Sequence, residues 1–219
     1  FNGTGASVVP AFNYHNLTLS NSRTVNNITL VSGGTIGVAG NMVASASFTT
    51  GNYDVTNNTV DFNGTGSSSI PVFNFNNLTS SSSGARTLAS SGTIGVASAF
   101  TPGTNVYTIT GSTVNFNGTG SSSIPAFNFN NLTSSSTGAR TLPSSGDIGV
   151  AGLFTPGSNV YTITGSTINF NGSIAQTMPA FAFDNIKHSN AAGVSLTGNV
   201  TLKNLITISA GTLTTTGFS

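Results

Sequence analysis

Apolar and polar residues alternate over short stretches of this chain, and the alternation stops at turn residues. In 114–116 (Val-Asn-Phe) and 127–130 (Phe-Asn-Phe-Asn) every second side chain is apolar. This period is typical of a β-strand that buries one face. Asn117-Gly118 and 144–146 (Ser-Ser-Gly) then favour turns. The pattern predicts about five or six short strands in every stretch of about 54 residues.

This pattern of strands and turns occurs four times. Each copy opens with Phe-Asn-Gly, carries a second Phe eleven residues later, and places Pro two positions before that Phe. The opening residues are Phe1, Phe62, Phe116 and Phe170. Self-similarity at a fixed period indicates a repeat architecture in which neighbouring units bury each other's apolar edges. We therefore divide the chain into repeats 1–61, 62–115, 116–169 and 170–219, the last diverged, within one continuous solenoid.

The fold class we predict is all-β: a parallel β-helix (β-solenoid), right-handed, built from repeats of about 54 residues. Each repeat would form two or three turns, with neighbouring strands about 4.8 Å apart. Asn131-Leu132 breaks the alternation, so we expect a bend or bulge there. The predicted core ladder consists of Phe62, Phe73, Phe75, Leu78, Phe116, Phe127, Phe129, Leu132, Phe170, Phe181 and Phe183.

The composition fits a stacked fold. Charged residues make up 4% of the chain, and the net charge is +1. In a stack, like charges at equivalent positions would repel each other, whereas Asn, Thr and Ser can form hydrogen bonds along it. This charge balance argues against nucleic acid or an anionic membrane as a partner. We also expect no membrane insertion, because no run of 18 apolar residues occurs.

The repeats also test each candidate for catalysis. His15 occupies the slot filled by Asn76, Asn130 and Asp184 in the other copies. Neutral residues likewise take the place of Asp61, which matches Asn115 and Asn169, and of Asp147, which matches Thr35 and Thr93. His188 and Lys187 lie near Asp184 but without a second carboxylate for acid–base chemistry. We predict no enzyme, no catalytic residue, no metal site and no cofactor.

Two recurring features suggest contacts. Arg86 and Arg140 occupy the same place in Gly-Ala-Arg-Thr-Leu, where the side chain would either cover apolar surface at a turn or contact a glycan or neighbouring fibre. Thr108/Thr110 and Thr162/Thr164 form Thr-x-Thr pairs, and flat threonine ladders on a β-solenoid can match an ice lattice. The alternatives left open are a glycan- or ice-binding module and, least favoured, a polysaccharide enzyme.

Three longer sequence segments resemble those of a known family. They are VNFNGTGSSSIPAFNFNNLT at 114–133, GNVTLKNLITISAGTLTTTG at 198–217 and TIGVAG at 35–40. They resemble repeats of very large Ser/Thr/Asn/Gly-rich surface proteins of Bacteroidetes-type bacteria, which typically end in a type IX secretion sorting domain. The resemblance implies a secreted bacterial adhesin or filament segment at the cell surface. From it we expect an extracellular, structural protein that associates end to end or side by side and can contact surface glycans.

Overall fold

The computed structural model describes residues 1–218, and these fold into parallel β-strands with no helix among them. The described chain makes about ten turns of a β-solenoid. It divides into two compact units, one of residues 1–108 and one that begins at residue 109. No helix in the described residues is long and apolar enough to cross a membrane.

The first unit contains fifteen short strands. They are β1 Ser7–Val9, β2 Asn13–Tyr14, β3 Leu17–Leu19, β4 Ser22–Arg23, β5 Ile28–Leu30, β6 Thr35–Val38, β7 Met42–Ala44, β8 Ser47–Phe48, β9 Tyr53–Asp54, β10 Thr59–Asp61, β11 Ser68–Ile70, β12 Asn74–Thr79, β13 Arg86–Leu88, β14 Thr93–Thr101 and β15 Tyr107–Thr108. Hydrogen-bonded neighbours follow the orders β1-β5-β9, β2-β6-β10-β12-β14, β11-β13-β15, β3-β7 and β4-β8.

The second unit is also built of short parallel strands. Its strands are β16 Thr113–Phe116, β17 Ser122–Ser123, β18 Asn128–Phe129, β19 Asn131–Ser134, β20 Arg140–Thr141, β21 Asp147–Val150, β22 Phe154–Thr155, β23 Tyr161–Thr162, β24 Thr167–Phe170, β25 Gln176–Met178, β26 Ala182–Phe183, β27 Asn185–His188, β28 Val194–Leu196, β29 Thr201–Leu202, β30 Ile206–Ile208 and β31 Leu213–Thr214. Its strand orders are β16-β19-β22, β17-β20-β23, β18-β21-β24-β27-β30, β25-β28-β31 and β26-β29.

The structural repeat is one turn of about 20 residues, so the expected repeat of 54 residues is wrong as the unit of the fold. The strands β16 and β24 are equivalent in sequence, and the chain makes three turns between them. In the first turn β16 pairs with β19. In the second, β18 and β19 pair with β21 and β22, and in the third β21 pairs with β24. Each single turn forms backbone hydrogen bonds with the next turn, so one turn is the unit of the fold. The sequence period is longer because the same motifs return only at every third turn.

The predicted bend is present. In the first unit the register between β12 and β14 shifts between Phe75 and Asn77. In the second unit Asn130 separates β18 from β19. An extra residue at this point turns the following leucine inward, and Leu78 and Leu132 are both buried.

Three aromatic rings pack edge to face inside each of the last three copies. The centroids of Phe116 and Phe129 are 6.3 Å apart, and those of Phe127 and Phe129 are 4.9 Å apart. Of the predicted core ladder, Phe127 and Phe181 are half-buried. The other members are buried: Phe62, Phe73, Phe75, Leu78, Phe116, Phe129, Leu132, Phe170 and Phe183.

Asparagine pairs reach across glycine on the outside of the coil. The Asn63 Nδ2 donates to Asn13 Oδ1 at 3.0 Å, although Gly37 lies on the turn between them. A Cβ on Gly37 would collide with both amides. Asn128 and Asn171 make the same contact over Gly149, with 3.2 Å between Asn171 Nδ2 and Asn128 Oδ1. We call each such pair an asparagine clasp; it ties together turns that share no backbone hydrogen bond.

Candidate binding surface

The candidate surface begins with an arginine that points into the coil. On β20, Arg140 and the following Leu142 have the same phase, and both are buried, whereas Thr141 between them is exposed. The guanidinium of Arg140 lies where the loop after Phe116 turns its carbonyl groups inward. Its Nη2 donates to the carbonyl oxygens of Phe116 at 2.8 Å and Gly118 at 2.9 Å. The Phe-Asn-Gly-Thr-Gly motif therefore forms an arginine-binding loop.

Further hydrogen bonds complete the site. The Nη1 of Arg140 donates to the Gly120 carbonyl at 3.2 Å, and its Nε donates to Ser134 Oγ at 2.9 Å. Gly138 must be glycine, because a Cβ there would collide with the Gly120 carbonyl oxygen and Arg140 Nη1. No carboxylate bonds this cation in the described chain, so carbonyl and hydroxyl oxygens take the place of an anion. Burial lowers the pKa of Arg140, but a guanidinium remains charged in proteins.

The second copy repeats this arrangement. Arg86 is fully buried and donates to the carbonyls of Phe62 at 2.7 Å and Gly64 at 2.8 Å, and to Ser80 Oγ at 2.9 Å. The expectation that Arg86 and Arg140 line an edge or cover a turn, with the cation in reach of a glycan or fibre, is therefore wrong. Both cations are satisfied inside the coil, where an external partner cannot reach them.

The outer copies vary this interior corner. Arg23 of the first copy is buried and donates from Nη1 to the Gly5 carbonyl, but its Nε and Nη2 have no partner in the described residues. Leu19 stands where the next copy has Ser80, which explains the unpaired Nε. The fourth copy has no arginine at this corner: Gln176 and the buried His188 and Asn190 occupy it, and Asn190 Nδ2 donates to Gln176 Oε1 at 2.9 Å.

The outer side of the arginine-bearing sheet is a column of hydroxyl groups. Ser123, Thr141 and Thr162 lie in register on β17, β20 and β23, and all three are exposed. Ser69, Thr87 and Thr108 form the same exposed column on β11, β13 and β15. Neighbouring hydroxyls are one strand spacing apart, about 4.8 Å. We call each column a hydroxyl ladder.

Tyrosines close the inner side of these ladders. Tyr107 pairs with Arg86 and Tyr161 with Arg140 in the strand register. The hydroxyl of Tyr161 donates to the Pro156 carbonyl at 2.9 Å, and Tyr107 makes the same bond to Pro102. Burial raises the pKa of both phenols. Each hydroxyl ladder therefore stands on a sheet whose inward arginine and tyrosine are both held by hydrogen bonds.

Four of the titratable residues in the described chain make contacts with other partners. Asp147 bonds Lys187 at 2.9 Å on the surface, and Asp184 Oδ2 accepts the Gly165 N–H at 2.8 Å. His188 is buried, with Nε2 bonded to the Thr212 carbonyl at 3.0 Å. Asp61 accepts two hydrogen bonds from Ser81. Among residues 1–218, no three His, Asp or Glu side chains converge to hold a metal ion.

Sequence reasoning missed the interior arginines and the asparagine clasps. A signal for the first was present, since Arg86-Thr87-Leu88 places Arg in phase with a core leucine. The clasps leave no such local signal, because each joins residues that lie two turns apart.

In comparisons with known proteins, no protein-family model, no curated protein and no solved structure matches this chain.

Proposed function

We propose that this chain is a segment of a non-enzymatic, structural and adhesive β-solenoid that forms a rod or filament outside a bacterial cell. The observation that carries the proposal is the pairing of a neutral hydroxyl ladder on the outer side of the sheet with an arginine whose cation is bonded inside the coil. Ser123, Thr141 and Thr162 present hydroxyls at a regular spacing, while Arg140 is bonded inside. A neutral, regular face can pack against a like face without charge repulsion.

Secretion and cell-surface location enter the proposal from the resemblance of the repeats to bacterial surface proteins. A right-handed coil also belongs to it, because connections between parallel strands of one sheet are right-handed in nearly all proteins. Partners would be further copies, side by side or end to end, and neutral surface glycans.

Association through the hydroxyl ladders can be tested by adding charge to them. Wild-type protein should form ordered fibres or bundles visible by negative-stain electron microscopy, and Thr141→Lys should disperse them. Lysine at an exposed strand position keeps the fold but repels its counterpart on a facing copy. Thr197→Lys is the control, since Thr197 is also exposed but lies outside the ladders. Monodisperse wild-type protein at high concentration would contradict the proposal.

The same ladder favours a second candidate, a glycan- or ice-binding module. Thr162 ends β23 and Thr164 lies in the turn that follows it, and both are exposed. However, Pro143 stands beside Thr141 where a second threonine column would continue. Inhibition of ice recrystallisation by wild-type protein, and its loss in Thr162→Val, would support ice binding over the structural role.

A further inference from the structure

A groove in the second unit is lined by uncharged side chains. It has a volume of about 500 Å³, and residues of four turns line it, among them Thr110, Asn130, Leu153, Ile174 and Gln176. This size lies within the range of small-ligand sites. The groove is separate from the hydroxyl ladder, since Ser123, Thr141 and Thr162 are not among its lining residues.

Two apolar side chains in the walls of the groove are absent from the matching positions of other copies. Ile174 stands where the two preceding copies have glycine, at Gly66 and Gly120, and Leu153 stands where the second copy has Ala99. Both side chains are open to solvent, with exposed fractions of 71% for Ile174 and 58% for Leu153. The third copy, through Leu153, and the fourth copy, through Ile174, therefore add apolar surface where other copies have the smaller residues glycine and alanine.

The polar lining is partly fixed and partly free. Asn131 is held, because its Nδ2 donates to Thr113 Oγ1 at 3.2 Å and its Oδ1 accepts the Leu153 N–H at 2.9 Å. Gln176 is held by the Gly172 N–H and by the carbonyls of Val150 and Gly152. The side-chain amide of Asn130 makes no hydrogen bond within residues 1–218, so it can donate to and accept from a ligand. A fixed wall beside one free amide reduces the ordering that a ligand must impose.

The chemistry of the lining selects the ligand. None of the lining residues is charged, so an anionic or cationic ligand would lose its hydration without a counter-charge. The strands beside the groove are also unavailable for a peptide, because β19 already pairs with β16 on one side and β22 on the other. A ligand with hydroxyl groups and an uncharged, apolar ring face matches both the amides and the two aliphatic side chains.

We propose that this groove binds a neutral saccharide, with the ring faces against Leu153 and Ile174 and a ring hydroxyl on the amide of Asn130. The site supplies a ligand class for the adhesive role and rests on that proposed function. It contributes binding only, and no bond of the sugar is formed or broken there.

The test is isothermal titration of the full chain with neutral tetrasaccharides of glucose, mannose, galactose and N-acetylglucosamine, and with a polyuronate of the same length. Wild-type protein should bind at least one neutral sugar and not the polyuronate. Leu153→Ala and Ile174→Gly, which restore residues of the sister copies, should each weaken that binding tenfold or more. Val160→Ala is the matched control, because Val160 is equally apolar and exposed but lies outside the groove.

Three results would overturn the inference: no binding of any neutral sugar, preference for the polyuronate, or dimerisation that Leu153→Ala abolishes, which would assign the groove to a second copy. Circular dichroism of each variant shows that it has folded. Fibre formation is scored on the same samples. Fibres without sugar binding would refute saccharide binding in the groove and leave the structural role intact. Sugar binding without fibres would refute the structural role and leave saccharide binding intact.

Discussion

Replacing Arg140 with methionine separates the hydrogen bonds of the buried guanidinium from its volume. Methionine fills much of the same space but donates nothing. The carbonyls of Gly118 and Gly120 would lose their donor, and the Phe116 carbonyl would keep only the Ser135 N–H. A buried carbonyl left without a donor costs about 1–3 kcal/mol.

The magnitude follows from two opposing effects. Orphaned carbonyls destabilise the folded state, while removing a buried cation relieves its desolvation cost. The backbone acceptors cannot be removed with the arginine, but they are neutral, so the substitution leaves buried carbonyls without a donor, at about 1–3 kcal/mol each, and no unpaired charge. We therefore expect Arg140→Met to lower the free energy of unfolding by about 2–3 kcal/mol, chiefly because the buried Gly118 carbonyl loses its donor. Arg140→Lys should lose less, because the ammonium keeps the charge but not the planar fork of donors.

The assay must report on the turns around Arg140, since stacked repeats can unfold in parts. Urea titration followed by hydrogen exchange of the peptides covering 116–142 gives the local free energy of opening. Thr141→Val is the control, because Thr141 is exposed on the same strand and should change stability by less than about 0.5 kcal/mol. If Arg140→Met opens within about 1 kcal/mol of wild type, other donors satisfy the loop and the reasoning is refuted.

Three further outcomes are expected. Gly138→Ala should destabilise the same turn by about 2 kcal/mol or more in urea titration, because its methyl group meets the Gly120 carbonyl, and a neutral effect would contradict that geometry. Asp147→Asn should change the free energy of unfolding by less than about 0.5 kcal/mol, since both partners of the pair with Lys187 are partly exposed to solvent, and a larger loss would show that the ion pair matters. Absorbance titration should place tyrosine ionisation above the ordinary pKa of 10.0 in folded protein and near 10.0 in denaturant. Because the pKa is raised in the folded state, the folded protein holds the phenol protons more tightly than the unfolded chain does. The contribution of the protonated phenols to the stability of the fold is therefore complete below pH 10 and is lost as the pH rises through the folded-state pKa.

The parallel solenoid could be predicted because its signals are local. Phe127-Asn128-Phe129 specifies a strand with a ring on one face, and the four Phe-Asn-Gly copies specify a repeat. The bend near Asn131 followed from a break in the same alternation. These predictions required only the two-residue period of a strand and the turn preference of Asn-Gly.

The number of residues in one turn could not be predicted in the same way. Register partners are 18 residues apart for Ser68 and Arg86 but 25 apart for Ile28 and Tyr53, because loops of different length join similar strands. A repeated sequence motif therefore identifies turns with the same structural role, such as binding an arginine side chain, and does not give the length of one turn. The arginine was expected outside because an isolated charge is usually costly to bury. Here the carbonyls that offset this cost come from the preceding loop.

The asparagine clasp has a consequence for how such a chain can change length. Asn13 reaches Asn63 over the glycine of the intervening turn, and Asn128 reaches Asn171 likewise. Duplicating or deleting a single turn would place the wrong residue beneath the glycine and leave both amides without their partner. Adding three turns together restores every clasp and every arginine-binding loop. Unequal recombination within the gene therefore preserves these contacts only when it adds or removes whole blocks of three turns, which is the period that the sequence of this protein displays.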